Sequence, residues 1–311
     1  IQKEAGGSHG CSSLDGKRVI QFGHLQLSAM TSTLLVANYP PDVGFAWWLM
    51  QRFWLEFGQE CNRLSRRCIL AYPERGPIPV EIEDSTIEPV FLDFLGTGPR
   101  QLKSQAHFLR SNGVSEIYLT DHPYRHQRYG LFRAAGVRRI INHDHTPGDR
   151  PPIKGIRRVM KRVVNSAQWF TCDHWISISD LMRRRAIENG CIPPDRCSLV
   201  QNGIIPVPVN ARIRRTARKR LGIAEGDLAV VMVGRATKYK GLDFLVQVAR
   251  EAHRRHSGRF LFFHIGDGPQ LESARRMAEE AQIPHETLRF LGRRDDVRDI
   301  LPGFDLALHP S

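Results

Sequence analysis

Leu228-Ala229-Val230-Val231-Met232-Val233-Gly234-Arg235-Ala236-Thr237-Lys238-Tyr239-Lys240-Gly241 sets the reading of this chain. Six consecutive apolar residues, Leu228 to Val233, read as a strand buried on both faces. Directly after Gly241, Leu242 to Arg255 places Leu245, Val248, Ala249 and Ala252 on one helical face. Strand, glycine loop and helix together make half of a βαβ unit, and such a loop lies at the carboxyl end of a parallel strand, where doubly wound sheets bind ligands. Gly234 and Gly241 allow close backbone approach, the helix start offers N–H groups and a positive dipole end, and Arg235 and Lys240 add cations that suit a diphosphate. An ordinary basic βα loop is the alternative. A phosphate-binding P-loop is excluded, because G-x-x-x-x-G-K-[ST] is absent.

Outward from this stretch the pattern repeats. Downstream come strands at Phe260–Ile265, Thr287–Leu291 and Asp305–His309, with a helix at Leu271–Ala281. Upstream, strands are predicted at Thr33–Ala37, Arg67–Tyr72, Glu116–Leu119, Arg138–Asn142 and His174–Ile178. Helices are predicted at Phe45–Phe57, Gly155–Phe170 and Leu181–Asn189. Short apolar runs alternating with amphipathic stretches predict an α/β fold with parallel sheets. Pro206 and Pro208 interrupt the pattern and mark a linker at 206–211 between a domain at 30–205 and a second at 212–311. The second is expected to be incomplete, since such a domain needs ~100–150 residues or more. The segment before Met30 lacks periodicity and reads as disordered, upstream or non-native sequence.

The chain has 311 residues, 41% of them hydrophobic, and a formal net charge of +13. The hydrophobic content excludes global disorder. The charge favours an anionic partner or is simply a solvated basic surface. Six cysteines without a C-x-x-C pair speak against a zinc site and fit reduced thiols in a cytoplasmic protein. No run of 18 apolar residues is long enough to span a membrane. Among the upstream helices, Gly155–Phe170 interleaves Arg157, Arg158, Lys161 and Arg162 with Ile156, Val159, Met160, Val163 and Val164. This helix either packs its apolar side on the sheet or lies on an anionic membrane surface, which would place the protein at the inner face of the cytoplasmic membrane. Trp47 and Trp48 are read as buried helix aromatics, with sugar stacking or lipid contact as the alternative.

Three further strand-end motifs follow the first: Ile265-Gly266-Asp267-Gly268-Pro269, Phe290-Leu291-Gly292-Arg293-Arg294, and Asp305-Leu306-Ala307-Leu308-His309-Pro310-Ser311. Upstream lie the Gly44 loop, Asn142-His143-Asp144-His145-Thr146, Ile176-Ser177-Ile178-Ser179 and Val200-Gln201-Asn202-Gly203-Ile204. In this order and spacing they resemble the retaining GT-B glycosyltransferases of family 4, over roughly Met30 to Ser311. The resemblance implies two Rossmann-like domains with a cleft between them. It implies transfer of a sugar from a nucleoside-diphosphate co-substrate to a hydroxyl acceptor (polysaccharide, lipid or small molecule, with the cell envelope as the family's usual setting), without a metal or other cofactor. No D-x-D motif follows a strand, in keeping with that.

By the same resemblance, Arg235 and Lys240 would hold the diphosphate and stabilise the departing charge, with Lys238 between them solvated. Gly234, Gly266, Asp267 and Gly268 would line the nucleotide pocket. The loop bearing Arg293 and Arg294 would meet the base, largely through its backbone, and Gly44 would approach the diphosphate. His145 would sit near the transferred sugar, with His143 as the alternative and a simple polar turn as a third reading. The family's E-x7-E signature does not occur before Ser311, so this chain is expected to be a fragment without activity of its own. A GT-B epimerase or phosphorylase is the rival enzyme reading. A nucleic-acid-binding protein is the rival from another class, and no RRM, KH or zinc signature supports it.

Overall fold

The structure, a computed structural model, describes residues 31–41, 48–146, 148, 151–204, 206–256 and 260–310. The expectations for residues 1–29, Gly44, Trp47 and Ser311 lie outside the described residues. The chain divides into two compact units between Gln201 and Asn202.

The first unit runs β1 (Ser32–Val36), α1 (Trp48–Arg63), β2 (Arg67–Tyr72), α2 (Val80–Glu83), β3 (Ile87–Phe91), α3 (Pro99–Ser111) and β4 (Val114–Thr120). It continues with α4 (Arg128–Ala134), β5 (Arg139–Asp144), α5 (Gly155–Ser166), β6 (His174–Ser177), α6 (Asp180–Glu188) and β7 (Cys197–Leu199). The described strands form a parallel sheet in the order β3-β2-β1-β4-β5-β6-β7. The pleat of β1 sends Leu34 and Val36 to one core, with Ile69 and Ile117, and Leu35 to the other, with Leu70 and Tyr118. Both faces are covered, which is why the strand is a continuous apolar run.

The second unit runs α7 (Ala211–Leu221), β8 (Leu228–Val233), α8 (Leu242–Arg255), β9 (Phe260–Ile265), α9 (Leu271–Glu280), β10 (Leu288–Phe290), α10 (Val297–Ile300) and β11 (Leu306–Ala307). Its parallel sheet has the order β10-β9-β8-β11. Val230 and Met232 face Leu245 and Ala249 on one side, and Ala229 and Val231 face Phe263 and Ile300 on the other. In each sheet the order reverses beside its first strand: between β1 and β4, and between β8 and β11.

The sequence reading places no element at α2, β3, α3, α4, β7, α7 or α10, and among those it does place, three differences bear on packing. Helix α1 runs through Gly58 to Arg63, where a stop at Phe57 is predicted. Gly58 serves packing there, since a Cβ on it would lie 2.5 Å from Ile87 Cγ1. Helix α5 ends at Ser166, and a separate 3₁₀ turn covers Gln168–Phe170. The last strand shortens to Leu306–Ala307, although the Asp305 and Leu308 N–H groups still donate to Ala229 and Val231.

Candidate functional site

The second unit assembles its motifs by backbone hydrogen bonds. Gly234 donates to Ile265 at 2.9 Å, Ala236 to Asp267 at 2.9 Å, Gln270 to Ala236 at 2.9 Å and Gly266 to Gly292 at 2.8 Å. Gly266 (φ 145°) and Gly268 (φ 149°) lie against the β8 loop so closely that a Cβ would approach the Gly234 carbonyl oxygen to 2.0 Å and the Ala236 oxygen to 2.7 Å. Their lack of side chains is a packing requirement. Gly234 differs: a Cβ there meets nothing within 4 Å, so its bareness leaves open space above the loop. Asp267 is exposed, and its carboxylate accepts the Gly268 N–H at 2.7 Å.

On that loop Arg235 is exposed and Lys240 half-buried. Both turn toward one aromatic ring: the Arg235 guanidinium donates to the Tyr239 hydroxyl at 3.5 Å, and Lys240 Nζ lies 5.3 Å from the Tyr239 ring centroid. Gly241, left-handed at φ 72°, opens α8 without a side-chain cap, so the first-turn N–H groups keep their anion-binding character. A Cβ on Gly241 would come within 3.0 Å of Pro310 Cβ, which brings the loops after β8 and β11 together at the point of reversal. Beneath the loop, buried His264 contacts the Gly234 carbonyl through Nε2 at 3.1 Å. Burial lowers its pKa more than the Gly234 carbonyl and Asp267 raise it, so a neutral imidazole supports the loop. Arg294 is paired to Asp296 through two bonds of 2.7 Å, whereas Arg293 is exposed.

In the first unit the reversal between β1 and β4 is flanked by Asn38, whose Nδ2 donates to the Thr120 carbonyl at 3.5 Å, and by Asp121, left-handed at φ 56°. Asp121 accepts the His145 N–H at 2.5 Å, and its carboxylate lies 3.9 Å from His145 Nδ1. Burial raises the Asp121 pKa more than His145 and Thr146 lower it, and burial lowers that of His145 more than Asp121 raises it. Both ring nitrogens of His145 are shielded and lack a hydrogen-bond partner among the described residues. His143 is deeper: Tyr118 Oη lies 2.5 Å from its Nδ1, and burial pushes its pKa down to about 3. His145 is therefore the histidine at the sheet's end and His143 a core residue beneath it, the two rings 4.0 Å apart. Arg185 binds on either side of His145, donating to Asp144 at 3.3 Å, to the Thr146 carbonyl at 2.8 Å and to the Gly148 carbonyl.

Residues 213–311 match the family of glycosyl transferases group 1. The fold is that of the GT-B glycosyltransferases. Among solved structures, a glycosyltransferase from Rickettsia africae is 14% identical, with a TM-score of 0.68 over 91% of this chain and 74% of that one. HepE of Anabaena, solved with UDP and glucose, is 15% identical with a TM-score of 0.65 over 90% and 74%. The lipopolysaccharide glycosyltransferase WaaG is 15% identical with a TM-score of 0.59 over 90% and 75%. A curated glycosyltransferase of Methanocaldococcus jannaschii, MJ1607, is 20% identical over 142 residues, which is 44% of this chain and only 36% of that protein.

Tyr239, His264 and Asp121 were not singled out in the sequence. The Thr120-Asp121-His122 run directly after an apolar strand is a signal for Asp121, in the same way as the motif that marks His145. Tyr239 and His264 carry no such signal, because their roles depend on which neighbours the loop and strand bring to them.

Proposed function

We propose that the protein is a retaining glycosyltransferase that moves a sugar from a nucleoside-diphosphate donor to a hydroxyl acceptor without needing a metal. The observation that carries this reading is the β8 loop, where Arg235 and Lys240 flank Tyr239 beside open space at Gly234 and an uncapped helix start. In the transfer the acceptor oxygen bonds to the anomeric carbon while the bond from that carbon to the diphosphate breaks. The diphosphate oxygen keeps the electron pair and takes up the proton that the acceptor hydroxyl gives up as its new bond forms. Negative charge thus grows on the leaving oxygen, and cations that meet it there lower the barrier. The His145 ring nitrogens, without a hydrogen-bond partner among the described residues, support a second role, since shielded polar nitrogens lacking such a bond cost about 1–3 kcal/mol each and a sugar hydroxyl would satisfy one.

Because HepE was solved with UDP, UDP is the probe of choice. Calorimetric titration of UDP in EDTA should show binding, with Arg235→Ala and Lys240→Ala each weakening it about tenfold or more and Lys238→Ala within about threefold. No binding, or a Lys238→Ala loss equal to the others, overturns the assignment of the loop.

A further inference from the structure

Helix α5 is mounted with its polar side toward the protein. Lys161 Nζ donates to the Asn189 carbonyl at 3.1 Å, and Asn165 Nδ2 donates to the Gly190 and Cys191 carbonyls at 3.0 and 3.3 Å. Asn165 is the buried residue of the helix. It follows Val163 by two positions, about 200° around the helix, so docking through Asn165 turns the apolar side outward. Ile156, Val159, Met160, Val163 and Val164 are accordingly 40–73% exposed. The expectation that this side packs on the sheet does not hold.

Arg157 and Arg162 flank the stripe, and the helix carries no acidic residue. The chain then runs into Trp169 and Phe170, both exposed. They are seated on α4 at Gly130, where a Cβ would lie 2.9 Å from Trp169 Nε1 and 2.9 Å from Phe170 Cε1. A continuous apolar stripe bordered by arginines and followed by a fixed Trp–Phe pair is the composition of a helix lying in a bilayer interface.

We infer that α5 and the Trp169–Phe170 turn bind the surface of an anionic bilayer, with the apolar stripe among the acyl chains and Arg157 and Arg162 at the headgroups. Charge chooses this occupant over a second copy of the chain. A symmetric self-contact through the α5 stripe would bring Arg157 and Arg162 of one copy against those of the other, whereas an anionic surface complements them and the net charge of +13. The inference is independent of the nucleotide site.

The test is sedimentation of the whole chain with vesicles of phosphatidylcholine, alone or with roughly 25% phosphatidylglycerol. The protein should bind the anionic vesicles, and the Val159→Glu/Val163→Glu double variant, altered only at exposed positions, should bind about tenfold or more weakly with an unchanged circular dichroism spectrum. Arg157→Gln/Arg162→Gln, which keeps the stripe, should weaken binding about threefold or more and reduce its salt sensitivity. Equal sedimentation with both vesicle types, or a double variant that binds like the wild type, overturns the inference. So does a wild-type dimer that the Val→Glu changes split while no vesicles are bound, which would make the stripe a self-association face.

Discussion

Gly234 and Gly266 lie side by side just past the ends of β8 and β9, yet a methyl group affects them differently. At Gly266 an alanine meets a left-handed backbone and a carbonyl oxygen 2.0 Å from its Cβ. Gly266→Ala should lower stability by about 2–4 kcal/mol, since strain at such a φ costs 1–3 kcal/mol before the clash is counted. Gly234→Ala enters open space and should cost less than about 1 kcal/mol, while weakening UDP if the diphosphate occupies that space. Denaturant unfolding and UDP titration of both variants test this pair, and a Gly266→Ala protein of unchanged stability would show the loop packing to be looser than described. Histidines give a second residue-scale outcome. Burial holds His122 and His143 down to about 3, helped by Arg128 and by His145 respectively, whereas an unfolded histidine titrates near 6.5. Between those values the unfolded chain takes up protons that the folded chain does not. Their contribution is therefore intact above about pH 6.5 and lost as pH falls toward 3, at up to about 1.4 kcal/mol per pH unit for each. Asp121, raised by burial, acts in the opposite sense at lower pH. His143→Asn should reduce the slope of unfolding free energy against pH below about 6.5 by up to that amount, and an unchanged slope would contradict the buried neutral state.

Elements were legible in the sequence where burial on two faces forces an uninterrupted apolar run, as in β1, β8 and β9. They were illegible where tertiary contacts do the work. Strand β3 carries Glu88 and Pro89 and pairs only with β2 among the described strands, so its sequence lacks the run that a central strand needs. Helix α7 reads as Ala-Arg-Ile-Arg-Arg-Thr-Ala-Arg-Lys-Arg-Leu, and its charge conceals the buried side. That side includes Arg218, which donates to the carbonyls of Gly303, Ala224 and Asp227 and pairs with Asp305 at 3.0 Å. Burial pushes the Asp305 carboxyl up, but the Ala229 N–H, Arg214 and Arg218 outweigh it and hold it low. In the site, the glycine motifs and the two loop cations could be read from spacing, while Tyr239, His264 and Asp121 needed the fold. Arg218→Ala removes one of the two arginines that hold Asp305 and a donor from three carbonyls, so it should destabilise the protein by about 2–3 kcal/mol. Arg220→Ala is the control on the same helix, because its pairing with Asp296 is at the surface and such pairs contribute about 0–1 kcal/mol. Equal losses in the two variants would deny Arg218 its role in joining α7 to the start of β11.

At the scale of the whole molecule, each unit holds its own sheet, its own pair of cores and its own point of strand reversal, and the chemistry differs between them. The second unit's reversal carries cations and bare backbone, and the first unit's carries a carboxylate and a shielded imidazole. If the nucleotide binds through the β8 loop, its binding energy belongs to the second unit. A ligand that binds only the folded form stabilises by about 2.7 kcal/mol at one hundred times its dissociation constant. For a unit of 110 residues, 202–311, that corresponds to a rise on the order of 10 °C in its unfolding midpoint. Scanning calorimetry of the whole chain should then show two transitions, with saturating UDP raising one and leaving the other in place. Arg235→Ala should abolish the rise without moving either midpoint of the free protein, since Arg235 is exposed and its hydrogen bond to Tyr239 is long at 3.5 Å. Hydrogen exchange identifies the transition that moves: protection should grow at the amides of Gly234 to Gly241 and of Gly266 to Gly268, and remain as it was in β1, β4 and β5. A rise shared equally by both transitions, with new protection in β4 and β5, would mean that the nucleotide's binding energy is not confined to the second unit.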